Sequence, residues 1–234
     1  MQNIKAVRDL SMAGDLMLSL HFTKTCQMIA RNVFLIFLLI PVSDLLAQGP
    51  DTTEHYADGS LRAKGSIKRG LREGTWNFFY PNGKLNATES YLAGKLDGRV
   101  VYYYPDGVLQ GKEFWRSGSL EDSAVYYHRG GMIEKKGKYL FSRYEGVWKF
   151  YFERGKPRRI VTYGGGLPEG ETKIFSEEGI LLQHGYYHLG NEEGNWKFYD
   201  QRGRIQFEGT YTNGVRTGIW YEYSRSGKKR EWKY

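Results

Sequence analysis

Cysteine is almost missing from this 234-residue chain, and the one that is present, Cys26, stands early. Everything after it lacks a thiol, so disulfides, thiolate metal sites and a cysteine nucleophile are excluded from the remainder of the protein. Long hydrophobic runs are also missing. The longest, Val33–Ile40, is broken by Pro41, Ser43 and Asp44 after eight residues, whereas a spanning helix needs about 20. Proline occurs six times and never in a cluster, so polyproline linkers are absent. No Ser–His–Asp constellation suggests itself, and the acidic residues Asp97, Glu145, Glu169 and Glu193 are spaced as solvated turn residues.

What the chain has in excess is glycine (30) and tyrosine (19), with 16% aromatic residues overall. Aromatics are what disordered chains lack, and glycine between aromatic runs points to short strands joined by tight turns. The apolar run is preceded by Arg31 and followed by Leu45-Leu46-Ala47. A charged region, a short apolar region and a small residue form a signal peptide, with cleavage expected between Ala47 and Gln48. Residues 1–27 are too long and mixed for its charged region, which makes Met28 a candidate start; an uncleaved membrane anchor is the alternative. Residues 1–47 hold four Lys/Arg and three Asp/Glu of the chain's 34 and 26. Residues 48–234 therefore keep 30 and 23, a net charge of +7, a balance that favours acidic partners or anionic surfaces.

A period of 24 residues organises residues 50–234 without insertion or deletion. Windows start at Gly74, Gly98, Asp122, Gly146, Gly170, Gly194 and Gly218, with a worn copy at Pro50. Nine residues into every window stands a glycine, Gly59, Gly83, Gly107, Gly131, Gly155, Gly179, Gly203 and Gly227; a second recurs at Gly70, Gly94, Gly118, Gly166, Gly190 and Gly214, with Ser142 in its place once. Before the first glycine comes an aromatic strand such as Trp76–Tyr80, and Pro81-Asn82-Gly83 reads as a three-residue hairpin loop. A second strand, Leu85–Tyr91, leads into another turn at Ala93-Gly94. The fold class expected is all-β: an elongated antiparallel meander of about eight 24-residue β-hairpin repeats. At about 4.8 Å per strand each repeat adds roughly 10 Å, so seven full copies reach about 70 Å.

Two-residue alternation places Phe78, Tyr102, Tyr126, Phe150, Ile174 and Phe198 on one face, bounded by Glu54 and Glu222, and Phe79, Tyr103, Tyr127, Tyr151, Phe175, Tyr199 and Tyr223 on the other. In the second strand it places Leu85, Leu109, Ile133, Leu181 and Ile205 on the same face as Tyr91, Trp115, Tyr139, Tyr187 and Tyr211. A single-layer sheet has nothing obvious to cover one face, so the row Phe79, Tyr103, Tyr127, Tyr151, Phe175 and Tyr199 is the candidate partner-binding surface. The remaining candidates are weak. His184 and His188 have helical ligand spacing in a strand context; Gly164-Gly165-Gly166 leads to Leu167-Pro168 and not to a phosphate-binding helix; Asn86-Ala87-Thr88 is a short glycosylation match. No catalytic residue, cofactor or metal is expected.

The run Gly74-x-Trp76-x-Phe78-Phe79-Tyr80-Pro81-Asn82-Gly83-Lys84-Leu85, followed by Tyr91-x-x-Gly94-Lys95-x-x-Gly98, resembles the MORN-repeat variant of bacterial proteins, a group identified with YwqK-type antitoxin components of toxin–antitoxin pairs. The resemblance covers about residues 50–234. It implies a β-hairpin array making protein or membrane contacts, without catalytic residues. Asp122, Ser142 and Pro157 depart from the repeat and mark the middle of the array as a candidate bend. The functional expectation is an exported, periplasmic or secreted scaffold that binds a protein partner. The alternatives are an antitoxin neutralising a cognate toxin and a module for anionic lipid or glycan; no nucleic acid is expected.

Overall fold

The computed structural model describes residues 51–233; the expected signal segment, with Cys26, Met28, Ala47 and Gln48, lies outside them. Sixteen strands follow one another in a single antiparallel sheet whose spatial order is the chain order. They are β1 Asp51–His55, β2 Leu61–Lys68, β3 Leu71–Phe79, β4 Leu85–Leu92, β5 Lys95–Tyr103, β6 Leu109–Arg116, β7 Ser119–Tyr127 and β8 Ile133–Leu140. The second half continues with β9 Arg143–Tyr151, β10 Pro157–Gly164, β11 Leu167–Phe175, β12 Leu181–His188, β13 Asn191–Tyr199, β14 Ile205–Thr212, β15 Val215–Tyr223 and β16 Lys229–Trp232. The expected all-β hairpin meander is therefore the fold, and no helix occurs among the described residues.

Both turns of the repeat have a physical cause. At the tip, Tyr80 N–H donates to the Lys84 carbonyl (2.8 Å) and Gly83 N–H to the Tyr80 carbonyl (2.8 Å). That is a three-residue loop with Pro81 at the first turn position and Gly83 at φ +78°, a conformation glycine adopts without strain. The other turns hold two residues, both with positive φ: Ala93 (+48°) and Gly94 (+79°) between β4 and β5, Phe141 (+49°) and Ser142 (+61°) between β8 and β9. Their twist matches that of the flanking strands. Ser142 thus takes the glycine conformation, and the ladder passes Asp122 and Pro157 in the same register as elsewhere.

Two bulges per repeat overturn the simple alternation. Phe78 pairs with Ala87 and Phe79 with Leu85, leaving Asn86 unmatched. Glu89 pairs with Val100 and Tyr91 with Leu96, so Ser90 stands opposite three residues centred on Gly98, at φ +108°. Because the first bulge shifts the pleat, Leu85 follows Phe79, while Ala87, Glu89 and Tyr91 follow Phe78. Leu85, Leu109, Ile133, Leu181 and Ile205 therefore do not share a face with Tyr91, Trp115, Tyr139, Tyr187 and Tyr211, as alternation had placed them. Leu109 lines a depression with Tyr103, while Trp115 Nε1 on the other side donates to Glu113 (2.9 Å).

The core is one face of one sheet. Among the described residues, all twelve buried hydrophobic side chains (Ala63, Trp76, Ala87, Val100, Leu120, Ala124, Trp148, Phe150, Val161, Tyr163, Trp196 and Trp220) project to the same side. Trp76, Trp148, Trp196 and Trp220 each lie on a glycine of the preceding strand: Gly65, Gly137, Gly185 and Gly209. Each indole Nε1–H donates to the carbonyl one residue after that glycine, at Ser66 (3.0 Å), Lys138 (2.9 Å), Tyr186 (3.1 Å) and Thr210 (3.2 Å). A flat ring on bare backbone is buried without a second layer. Tyr144, Tyr139 and Phe150 close over Trp148 at centroid distances of 4.0, 5.0 and 6.1 Å. The polar ends fit this plan, with Glu54 bound by Arg62 (2.6 Å) and Arg72 (2.9 Å), and Glu222 by Arg230 (2.6 Å).

Candidate binding face

The side opposite the tryptophans carries the aromatic row singled out from the sequence. Phe79, Tyr103, Tyr127, Tyr151, Phe175 and Tyr199 close β3, β5, β7, β9, β11 and β13, and all six are half-buried. Across each hairpin the partner is Leu85, Leu109, Ile133, Pro157, Leu181 or Ile205. The backbone of the row is bolted to the preceding repeat. Tyr56, Tyr80 and Tyr104 hydroxyls donate to the carbonyls of Phe79 (2.7 Å), Tyr103 (2.8 Å) and Tyr127 (2.8 Å), and His128 Nε2 lies 3.0 Å from that of Tyr151. In the later repeats this position is Phe152, Ser176, Asp200 or Ser224, and the last three each accept a backbone N–H from their own turn.

Beside the aromatic row runs a second one, which the net charge alone does not reveal. The strand register sets Lys64, Asn77, Thr88, Val101, Lys112, Val125, Lys136, Lys149, Ile160, Lys173, His184, Lys197 and Glu208 side by side across the sheet. Six of these thirteen are lysines, so the row is a line of positive charge perpendicular to the strands. The signal existed in the sequence, since Lys149, Lys173 and Lys197 are 24 apart, as are Lys112 and Lys136. Reading it required the bulges, which set how the two strands of a hairpin align.

The charge is compensated unevenly. Toward the C-terminus Glu171 meets Lys173 (2.8 Å) and His184 (3.0 Å), and Glu208 meets Lys229 (2.8 Å). In the middle, among the described residues, no ion pair involves Arg99, Lys112, Lys136 or Lys149. Lys136 and Lys149 stand directly opposite each other, and Lys136 Nζ lies 5.8 Å from the Tyr151 ring centre. A depression of about 650 Å³ opens farther along the row, on β5 to β7, lined by Arg99, Val101, Tyr103, Leu109, Lys112, Phe114 and Ser123, with Val100 and Glu113 contributing from beneath. The Glu113 carboxylate is engaged on the far side, by Trp115 Nε1 and the Tyr126 hydroxyl (2.5 Å). Burial, and then that bond to Glu113, push the Tyr126 phenol well above its usual range.

The turn carboxylates are not the free solvated groups their spacing suggested. Glu73, Asp97, Glu121, Glu145, Glu169 and Glu193 accept the N–H of Ala93, Ser117, Phe141, Gly165, Leu189 and Asn213, at 2.7–3.1 Å. Each clamps the next repeat's two-residue turn. His184 and His188 both lie in β12, His184 at mid-strand and His188 as the last residue. His184 contacts Glu171, and His188 contacts Glu169 at 2.9 Å. No group of three metal-ligating side chains occurs among the described residues. Gly164 ends β10, and Gly165-Gly166 form the two-residue turn.

No curated protein matches the chain. Among solved structures, a chain of the "Crystal Structure of TcdB2-TccC3-Cdc42" is 10% identical over 77% of this chain and 14% of its own length, with a TM-score of 0.16. This chain thus spans about one seventh of that one. At that score the likeness supports no inference. The family comparison coincides with the hairpins themselves: residues 72–93, 96–117, 144–163 and 192–213 match the family described as the MORN repeat variant, so four copies of the array are similar to that repeat.

Proposed function

We propose that the protein is an exported, non-enzymatic scaffold that holds a protein partner on the face bearing Phe79, Tyr103, Tyr127, Tyr151, Phe175 and Tyr199. The observation that carries this reading is the one-sided core. Every buried hydrophobic side chain among the described residues belongs to the tryptophan face, so the opposite face is free to differ from repeat to repeat without unfolding the sheet. Repeat arrays use such extended surfaces for recognition. Export rests on the apolar segment before Gln48. The antitoxin reading rests on the family resemblance, and the lipid or glycan reading on the positive charge.

Two measurements test the proposal. Cells expressing the chain are fractionated and the intact mass is taken from each fraction. A periplasmic or secreted species beginning at Gln48 supports export, and a full-length cytosolic species removes it in favour of the antitoxin. The combined change of Tyr103, Tyr127 and Tyr151 to Ala is expected to leave a folded sheet that no longer captures its partner. An unfolded variant would mean that this row is core.

A further inference from the structure

We infer that the partner presents an acidic, extended segment that lies across β5 to β9, its carboxylates on Lys112, Lys136, Lys149 and Arg99 and one apolar side chain in the depression beside Tyr103. This rests on the binding face proposed above and names the chemistry of what it binds. Like charges directly opposite each other on a sheet are unfavourable. The register nevertheless sets Lys136 against Lys149, with Lys112 two strands further on. Elsewhere acidic groups meet the row: Asp51 pairs with Lys64, Glu171 with Lys173 and His184, and Glu208 stands opposite Lys197 in the register. Between β5 and β9, among the described residues, none does. Nearby on β7, Asp122 accepts the Ser123 hydroxyl (3.2 Å).

The chemistry of the patch distinguishes among anions. Lys112, Lys149 and Arg99 are exposed, so their heads are available to carboxylates. The depression beside Arg99 and Lys112 is walled by Val101, Leu109, Phe114 and the ring of Tyr103, which suits an apolar side chain on the same ligand. An acidic peptide with interspersed hydrophobic residues offers both groups at strand-scale spacing. The chain's own leading segment does not, because residues 1–47 carry four basic and three acidic residues.

The test uses the full chain and a labelled twelve-residue peptide with six Glu and two Phe, beside its Gln counterpart. The Glu peptide is expected to bind, to weaken as salt rises, and to weaken at least tenfold in Lys112→Glu/Lys149→Glu. The Gln peptide is expected not to bind. A charge-matched control, Lys68→Glu/Lys95→Glu at the turns, is expected to bind the Glu peptide as the parent does. Lys149→Glu alone faces Lys136 with an opposite charge, so its melting temperature is expected to equal or exceed the parent's, which separates lost binding from lost folding. Equal binding of the Gln peptide, or equal loss in the control, overturns the inference. So does preferential binding of single-stranded DNA or of phosphatidylserine vesicles that is abolished by Lys112→Glu/Lys149→Glu. If the tyrosine variants lose partner capture while the Glu peptide never binds, the acidic segment falls and the binding face stands.

Discussion

The indole of Trp148 lies on the backbone of Gly137 so closely that a β-carbon there would stand 2.4 Å from ring atoms Cδ2 and Cε2. The same holds for Trp76 on Gly65, Trp196 on Gly185 and Trp220 on Gly209, at 2.2–2.3 Å. Where the tryptophan is replaced, the glycine eleven residues before it is too: Glu89 precedes Val100, Glu113 precedes Ala124 and Val161 precedes Thr172.

Gly137→Ala is therefore expected to destabilise the array by about 1–3 kcal/mol through overpacking, and Trp148→Ala by about 3–5 kcal/mol. The two are not additive. In the Trp148→Ala background the alanine at 137 fills space instead of clashing, so its added cost falls close to zero. A double-mutant cycle from urea unfolding checks this; equal costs of Gly137→Ala in both backgrounds would remove the coupling.

Glu145 is expected to act on one amide of the next repeat. Its carboxylate accepts Gly165 N–H at 3.0 Å, while Gly166 N–H donates to the Tyr144 carbonyl at 3.0 Å. Glu145→Ala should accelerate hydrogen exchange at Gly165, leave Gly166 protected, and cost about 0.5–1 kcal/mol at this exposed site. Unchanged exchange at Gly165 would show that the clamp contributes nothing in solution.

The bulge glycines divide by φ. Gly98 (+108°) and Gly170 (+99°) sit where a side chain is strained, whereas Gly146 (+64°) lies near the angle that Asp122 (+58°) already adopts. A β-carbon at Gly98 meets Ser90 Cβ at 3.0 Å, and at Gly146 it meets nothing within 4 Å. Gly146→Asn is expected to cost less than about 1 kcal/mol and Gly98→Asn clearly more, about 1–3 kcal/mol. Equal melting temperatures for the two variants would count against this assignment.

Acid should loosen the hairpin tip at Asp200. The side-chain hydrogen bond from Arg204, and then the Arg204 backbone N–H, lower its carboxyl to about 2 from the ordinary 3.8. A depressed carboxyl contributes stability that is full above its unfolded value of about 3.9 and is lost as pH falls through the folded one. The parent's melting temperature should thus drop relative to Asp200→Asn between about pH 4 and pH 2. Parallel profiles would show that the pair does not couple to folding.

Much of this was legible in the sequence because the repeat punctuates itself. The nine-residue glycines at Gly59 to Gly227 all adopt φ between +76° and +91°, a requirement local to the loop, so spacing sufficed to find every hairpin tip. The pairing of Trp148 with Gly137 was equally present, as a glycine eleven residues before the tryptophan, but it is meaningful only once two strands are aligned. Leu85 was assigned to the wrong face because alternation assumes an unbroken pleat, and Asn86 breaks it.

The sequence by itself determined the period, the turns, the strand count of each repeat and the antiparallel order, since each follows from residues within a few positions of one another. The tertiary structure decided which side became core and how the lysines aligned. Both depend on bulges that shift one strand against the next, and a shift of a single residue carries a side chain to the opposite face. Hence Trp148 and its relatives are buried on one side of a single layer, while Lys112, Lys136 and Lys149, separated in the chain, meet in one line of charge on the other.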